Sequence, residues 1–143
     1  MSTSWIRLVA EAPELASSIT SRFDANLHHI LGTIRPDGSP RLSGSEIEIT
    51  PDRIRLGMMA DSHKLADVRR DPRVEIHSAP LDPKLADGDA KLLGFLIDDN
   101  APDQPGSGFV LDIAGASVVR VAGDELEFTI WSPTAGLHTL RRQ

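Results

Sequence analysis

The chain predicts a mainly β fold, a barrel with helical additions. Three observations carry that expectation. Six or seven short apolar stretches, several of them alternating with polar residues, are bounded by turn residues. Turn signals recur along the chain, at Pro36-Asp37-Gly38, Pro51-Asp52 and Ala122-Gly123-Asp124. Helical patterning is confined to two stretches. Short strands with few helices suit a barrel, because closure removes exposed strand edges.

Taken in order, residues 12–27 read as a helix. Leu15, Ile19, Phe23 and Leu27 recur every fourth position beside Ala12 and Ala16, which makes one apolar stripe. Pro13 suits the first helical turn. This helix is expected to cover one end of the sheet. A strand follows from His28 to Ile34. Neighbours on a strand point to opposite faces, so His28 and His29 are expected one inward and one outward rather than together on a metal.

Residues 41–49 return from the Pro36-Asp37-Gly38 turn. In the second half Ile47 and Ile49 alternate with Glu46 and Glu48. The first half, Arg41-Leu42-Ser43-Gly44-Ser45, is small and polar. It leaves room for a flat group to approach the backbone, and it equally permits a bulge or a barrel corner. A third strand spans 54–59, with Ile54, Leu56 and Met58 alternating. A short helix opens at Ser62-His63-Lys64 and ends before Pro72, which pushes Asp71 out of helical geometry. Strands are expected at 73–78, 90–97, 109–121 and 125–131, with polar loops at 79–89 and 98–108 and a short tail from 137.

Composition bounds the function. A chain of 143 residues fits one domain, taken as 1–143, and can bury a real core. With no cysteine there are no disulfides, thiolate zinc sites or cysteine nucleophiles. There is no basic-then-apolar leader and no run near the ~18 apolar residues of a membrane span, so a cytoplasmic location is expected. A formal charge of -6 argues against a nucleic-acid partner. The chain has no G-x-x-x-x-G-K-[ST], no H-E-x-x-H and no G-x-S-x-G, and Gly106-Ser107-Gly108 precedes a strand instead of a helix. No metal site and no hydrolase are expected.

The helix start at Ser62 offers different chemistry. A phosphate suits a fixed cation, a hydroxyl and the free amides of a helix N-terminus. Ser62 and Lys64 supply the first two, and Arg41 could stand beside them on a neighbouring strand. Ser62 reads equally as a simple N-cap. Arg69, Arg70 and Arg73 read as surface or subunit contacts, neutralised by Asp67 and Asp71.

The order of these pieces resembles a known family. Ile30-Leu31-Gly32-Thr33-Ile34-Arg35-Pro36-Asp37-Gly38-Ser39-Pro40-Arg41-Leu42-Ser43, followed by Ser62-His63-Lys64-Leu65-Ala66-Asp67-Val68-Arg69-Arg70-Asp71-Pro72-Arg73-Val74, is similar to the flavin- and deazaflavin-binding split β-barrel proteins, the pyridoxamine 5'-phosphate oxidase-like family. The likeness is close over about residues 28–79 and looser to about 132. It implies a six-stranded split barrel working as a homodimer, with FMN or the deazaflavin coenzyme F-420 in a groove at the subunit interface. Carried over by position, Ser62 and Lys64 hold phosphate and Arg41 assists. Ser43 faces the ring, Met58 and Met59 line it, and Trp131 packs on it from the partner subunit or serves as a core or interface aromatic. The implied activity is an oxidoreductase transferring hydride to or from a small organic molecule. Arg35 and His77 are candidates for substrate contact, and no catalytic acid or base is assigned. The C-terminal residues that mark true pyridoxamine 5'-phosphate oxidases are not seen, so synthesis of pyridoxal phosphate is not expected. The alternatives are a non-catalytic flavin- or haem-binding protein, or a cofactor-free dimeric module. Glu46 and Glu48 would disfavour an anionic cofactor unless they point away.

Overall fold

The computed structural model describes residues 3–100 and 107–143. Two helices come first, α1 (Ser4–Glu11) and α2 (Pro13–Asp24). They are followed by β1 (His28–Ile34), β2 (Pro40–Glu46), β3 (Glu48–Ile49) and β4 (Ile54–Gly57). Helix α3 (His63–Arg70) precedes β5 (Arg73–His77), β6 (Asp89–Asp98), β7 (Gly108–Ala122), β8 (Glu125–Ser132) and β9 (Gly136–Arg142).

All the strand pairs are antiparallel, and hydrogen bonding runs β2–β1–β5–β6–β7–β4–β3. Only Ile47 separates β2 from β3, so the path returns to where it began. With β2 and β3 taken as one bent strand, six strands close the barrel. The split lies in β7. Its first residues pair with β4 through Leu56 and Phe109, and its second half pairs with β8 from Ala116–Trp131 to Ala122–Glu125. A strand of 15 residues is long enough to serve both neighbours in turn.

The expected turn forms as read. Arg35 donates its amide to the Ser39 carbonyl at 2.8 Å, and Gly38 sits at φ +88, where a side chain would be strained. The alternation of 46–49 also holds: Ile47 and Ile49 pack on the core while Glu46 and Glu48 face out.

Four expectations need correction. Helix α2 stops at Asp24, so Leu27 lies beyond the apolar stripe and is 62% exposed. Helix α1 was not read from the sequence. It buries Trp5 and Leu8, and the Trp5 indole donates to the Thr50 carbonyl at 2.9 Å. The tail is strand β9, paired along β8 from Ser132–Gly136 to Leu126–Arg142. Strand β4 ends at Gly57, which leaves Met58 and Met59 in the connection to α3. In the expected loop 98–108, the Asn100 side chain joins both ends, accepting from the Gly108 amide at 3.0 Å and donating to its carbonyl at 3.2 Å. Residues 101–106 of that loop lie outside the described residues.

The two histidines part as strand geometry requires. His28 is exposed and His29 is buried. Nδ1 of His29 accepts the Ala79 amide at 2.9 Å, and Nε2 lies 2.8 Å from the carbonyls of Phe23 and Asn26. Only a neutral ring with its proton on Nε2 meets all three. His29 therefore ties the end of α2 to β1 and to the chain leaving β5.

Candidate functional site

The site is built where α3 packs on β1 and reaches β2 through its side chains. Ser62 precedes the helix in extended geometry, and its Oγ accepts the Leu65 amide at 3.3 Å. Buried Leu65 and Val68 anchor the helix to the core. Lys64 and Asp67 are one turn apart and share the face toward β2. Lys64 Nζ donates to the Gly44 carbonyl at 2.7 Å. Asp67 is 1% exposed, and its Oδ2 accepts from Arg41 Nε at 2.7 Å and from the Thr33 hydroxyl at 2.8 Å. Its Oδ1 faces Arg70 Nη2 at 3.4 Å, and Arg70 also donates to the Ile34 carbonyl. A buried carboxylate is tolerable only when paired in this way. Burial pushes the Asp67 carboxyl up, but the hydrogen bonds from Arg41, Thr33 and Arg70 outweigh it and hold the group below its ordinary value.

Arg41 and Ser43 lie on one face of β2 and are half-buried. Lys64 closes the space from the helix side. The amides of His63 and Lys64 open the helix, where no earlier intrahelical carbonyl can reach them. Two cations and a hydroxyl thus stand between β2 and the first turns of α3. These residues fit a phosphate group. Asp67 is shared by Arg41 and Arg70, so with Lys64 the cluster keeps a net positive charge. Ser62 acts as the N-cap, and Ser62→Ala is expected to lower stability by about 1 kcal/mol in a urea melt.

The remaining candidates are not gathered there. Met58 is 6% exposed in the core, with its amide bonded to the Ser107 carbonyl, while Met59 is 79% exposed. The two methionines cannot line one surface. Trp131 is fully buried under α1. Its indole donates to Glu11 Oε1 at 3.2 Å, and the Arg7 guanidinium stands 5.9 Å from its ring. Its polar and cation contacts are with α1. Arg35 belongs to the turn. His77 faces out from β5, 4.0 Å from Asp89. Glu46 lies on the face of β2 opposite Arg41 and Ser43, 3.6 Å from His28. With Glu48 it lines a separate cleft of about 700 Å³ between Asp24–Leu27 and β4. Glu46 therefore points away from Arg41 and Ser43.

Sequence reading missed Asp67 and Thr33 as site residues. Asp67 does neutralise Arg70 as expected, but its shortest bond is to Arg41. Asp71 pairs with Arg73 at 2.7 Å, and hydrogen bonds from Arg73 lower its carboxyl to about 2. The i, i+3 spacing of Lys64 and Asp67 was visible in the chain. That Thr33 stands opposite Arg41 is a matter of strand register.

This architecture is the split β-barrel of the pyridoxamine 5'-phosphate oxidase-like proteins. An FMN-binding, pyridoxamine 5'-phosphate oxidase-related protein from Nostoc punctiforme matches with a TM-score of 0.65 at 12% identity, over 96% of this chain and 99% of that one. PhzG from Burkholderia lata, solved with tetrahydrophenazine-1-carboxylic acid, matches with a TM-score of 0.67 at 11% identity, over 99% and 93%. A conserved hypothetical protein from Mycobacterium tuberculosis is 26% identical over 61% of this chain, which spans 54% of its length, with a TM-score of 0.53. No protein-family model matches the chain, and no curated protein matches it by sequence.

Proposed function

We propose that the protein binds FMN or the deazaflavin coenzyme F-420 and acts as an oxidoreductase on a small organic molecule. One observation carries the reading. Lys64 reaches the Gly44 carbonyl and Arg41 is held by Asp67, so both cations stand between α3 and β2 on either side of Ser43, on a fold shared with an FMN-binding protein. Either cofactor would supply hydride chemistry, and the chain would supply binding, orientation and electrostatics. Lys64 would offset the phosphate charge, Arg41 would offer its Nη1 and Nη2 donors, and Ser43 a hydroxyl. The one carboxylate of this cluster, Asp67, is taken up by Arg41, Thr33 and Arg70, which favours an anionic group over a cationic one.

The reading includes a second copy of the chain. The outer face of β1, β2 and β6 exposes Ile30, Leu42, Leu93, Phe95 and Ile97. These apolar side chains flank Arg73, Glu75 and His77 of β5, a mixture of apolar and polar groups that suits an interface with a second copy. Non-catalytic binding on the same scaffold is the second reading. What favours it is that Asp67, the carboxylate beside the phosphate space, is fully bonded and buried and so unsuited to moving a proton.

The experiment is a fluorescence titration with FMN and, in parallel, with F-420, on the wild type and Lys64→Ala. Saturable binding of one cofactor is expected, weakened by at least about tenfold in the variant, as loss of a charge-assisted contact implies. Absence of saturable binding for both would sink the proposal. Binding without oxidation or reduction of the cofactor across a substrate screen would decide for the second reading.

A further inference from the structure

The arrangement of donors around Asp67 is more specific than burial alone requires. Carboxylates commonly take arginine through two parallel N–H bonds. Here Oδ2 receives only Nε of Arg41, and it shares that oxygen with the Thr33 hydroxyl. Oδ1 is turned to Arg70. Thr33 and Arg70 thus occupy the capacity that a bidentate Arg41 would use. The guanidinium is rigid and planar, so fixing the Nε edge fixes the direction of the Nη1 and Nη2 edge. Neither Nη has a hydrogen-bond partner among the described residues, and the side chain is 21% exposed.

We infer that Asp67 is a positioning residue: it grips Arg41 by one edge and aims the other edge at the phosphate held by Lys64 and Ser43. This rests on the phosphate reading above. It also separates the roles of the two cations. Lys64 is a point charge that supplies attraction, and the Asp67–Arg41 pair, near neutral as a unit, supplies geometry. A phosphate ester would be recognised by direction as well as by charge.

The inference has a sign that electrostatics alone would reverse. Asp67→Asn removes a negative charge next to the site, so a purely Coulombic role predicts tighter binding of an anionic cofactor. A positioning role predicts weaker binding, because the neutral amide no longer holds the guanidinium. A role in folding alone predicts equal loss for ligands with and without phosphate.

The test compares each phosphate-bearing cofactor with its phosphate-free counterpart. FMN is set against riboflavin, and F-420 against its deazariboflavin core. The wild type, Lys64→Ala, Asp67→Asn and Arg41→Lys are titrated, with circular dichroism confirming fold. In Asp67→Asn the preference for the phosphate-bearing member is expected to fall about tenfold while affinity for the phosphate-free member is unchanged. An unchanged or increased preference in a folded Asp67→Asn protein overturns the inference. Should that variant fail to fold, Arg41→Lys decides. Lysine keeps the charge and lacks the fork, so loss of preference supports the inference and retention overturns it. If the wild type shows no preference in either pair, the phosphate reading fails and takes this inference with it. If the wild type shows a preference that Lys64→Ala loses and both other variants keep, only the role of Asp67 fails.

Discussion

Trp131→Ala is expected to destabilise the protein by about 3–5 kcal/mol, the range for truncating a large buried aromatic. Trp131 is among the largest fully buried side chains. It stands on β8 opposite Ala116 of β7 and under α1, where the split strand leaves the barrel. Alanine would open a void that β7, β8 and α1 all border. It would also strip Glu11 of the indole donor and Arg7 of the ring it stands over. The measurement is a urea denaturation midpoint with the slope checked for constancy. A loss below about 1 kcal/mol would mean that the helix collapses onto the void and that α1 is not held by this contact. The indole makes its polar contact with α1 and not with the β2–α3 cluster. Cofactor affinity of the folded variant is therefore expected to stay at the wild-type value.

Gly94→Ala is expected to cost about 3 kcal/mol, the upper end for overpacking, or to prevent folding. A Cβ at this position would meet the Asp112 carbonyl oxygen at 2.0 Å, its carbon at 3.0 Å and the Ile113 Cα at 3.2 Å. All three are backbone atoms, so no side chain can swing away. The register of β6 against β7 shifts between Leu93 and Gly94, and the bulge brings the two backbones this close. Relief would require the bulge to open, and with it the longest ladder of the barrel. Gly57→Ala is the control, since a Cβ there meets nothing within 4 Å. Thermal melts of the two variants should separate them clearly. Equal stability would show that β6 and β7 can slide apart at low cost.

Several elements were legible because their signals are local. Period-two alternation places Ile54 and Leu56 inward, and the same rule separates His28 from His29. Proline, aspartate and glycine at 36–38 specify their own turn. Ser62 caps α3 through an amide three residues away. The elements that escaped have distant partners. Helix α1 is short and is held by Thr50, Ser4 contacts with β7, and Trp131. Strand β9 is exposed along its length and exists because β8 offers an edge. Helix α1 carries its own apolar stripe, Trp5, Leu8, Val9 and Ala12 at helical spacing, so its signal lay in the chain, whereas β9 has no inward-facing alternation.

The site divides along the same line. Local order is enough to bring a hydroxyl, a lysine and a helix start together at residues 62–64, and to place small polar residues before Glu46 on the returning strand. Those are properties of neighbours, set by side-chain period and capping. The folded barrel is what lets Asp67 grip Arg41, 26 residues away in the chain, and Thr33 complete the grip. It alone sent Met58 inward and Met59 outward, and enclosed Trp131 beneath a helix that begins at Ser4. Which residues meet across a closed barrel depends on register and closure, and these are fixed by the packing of all six strands at once.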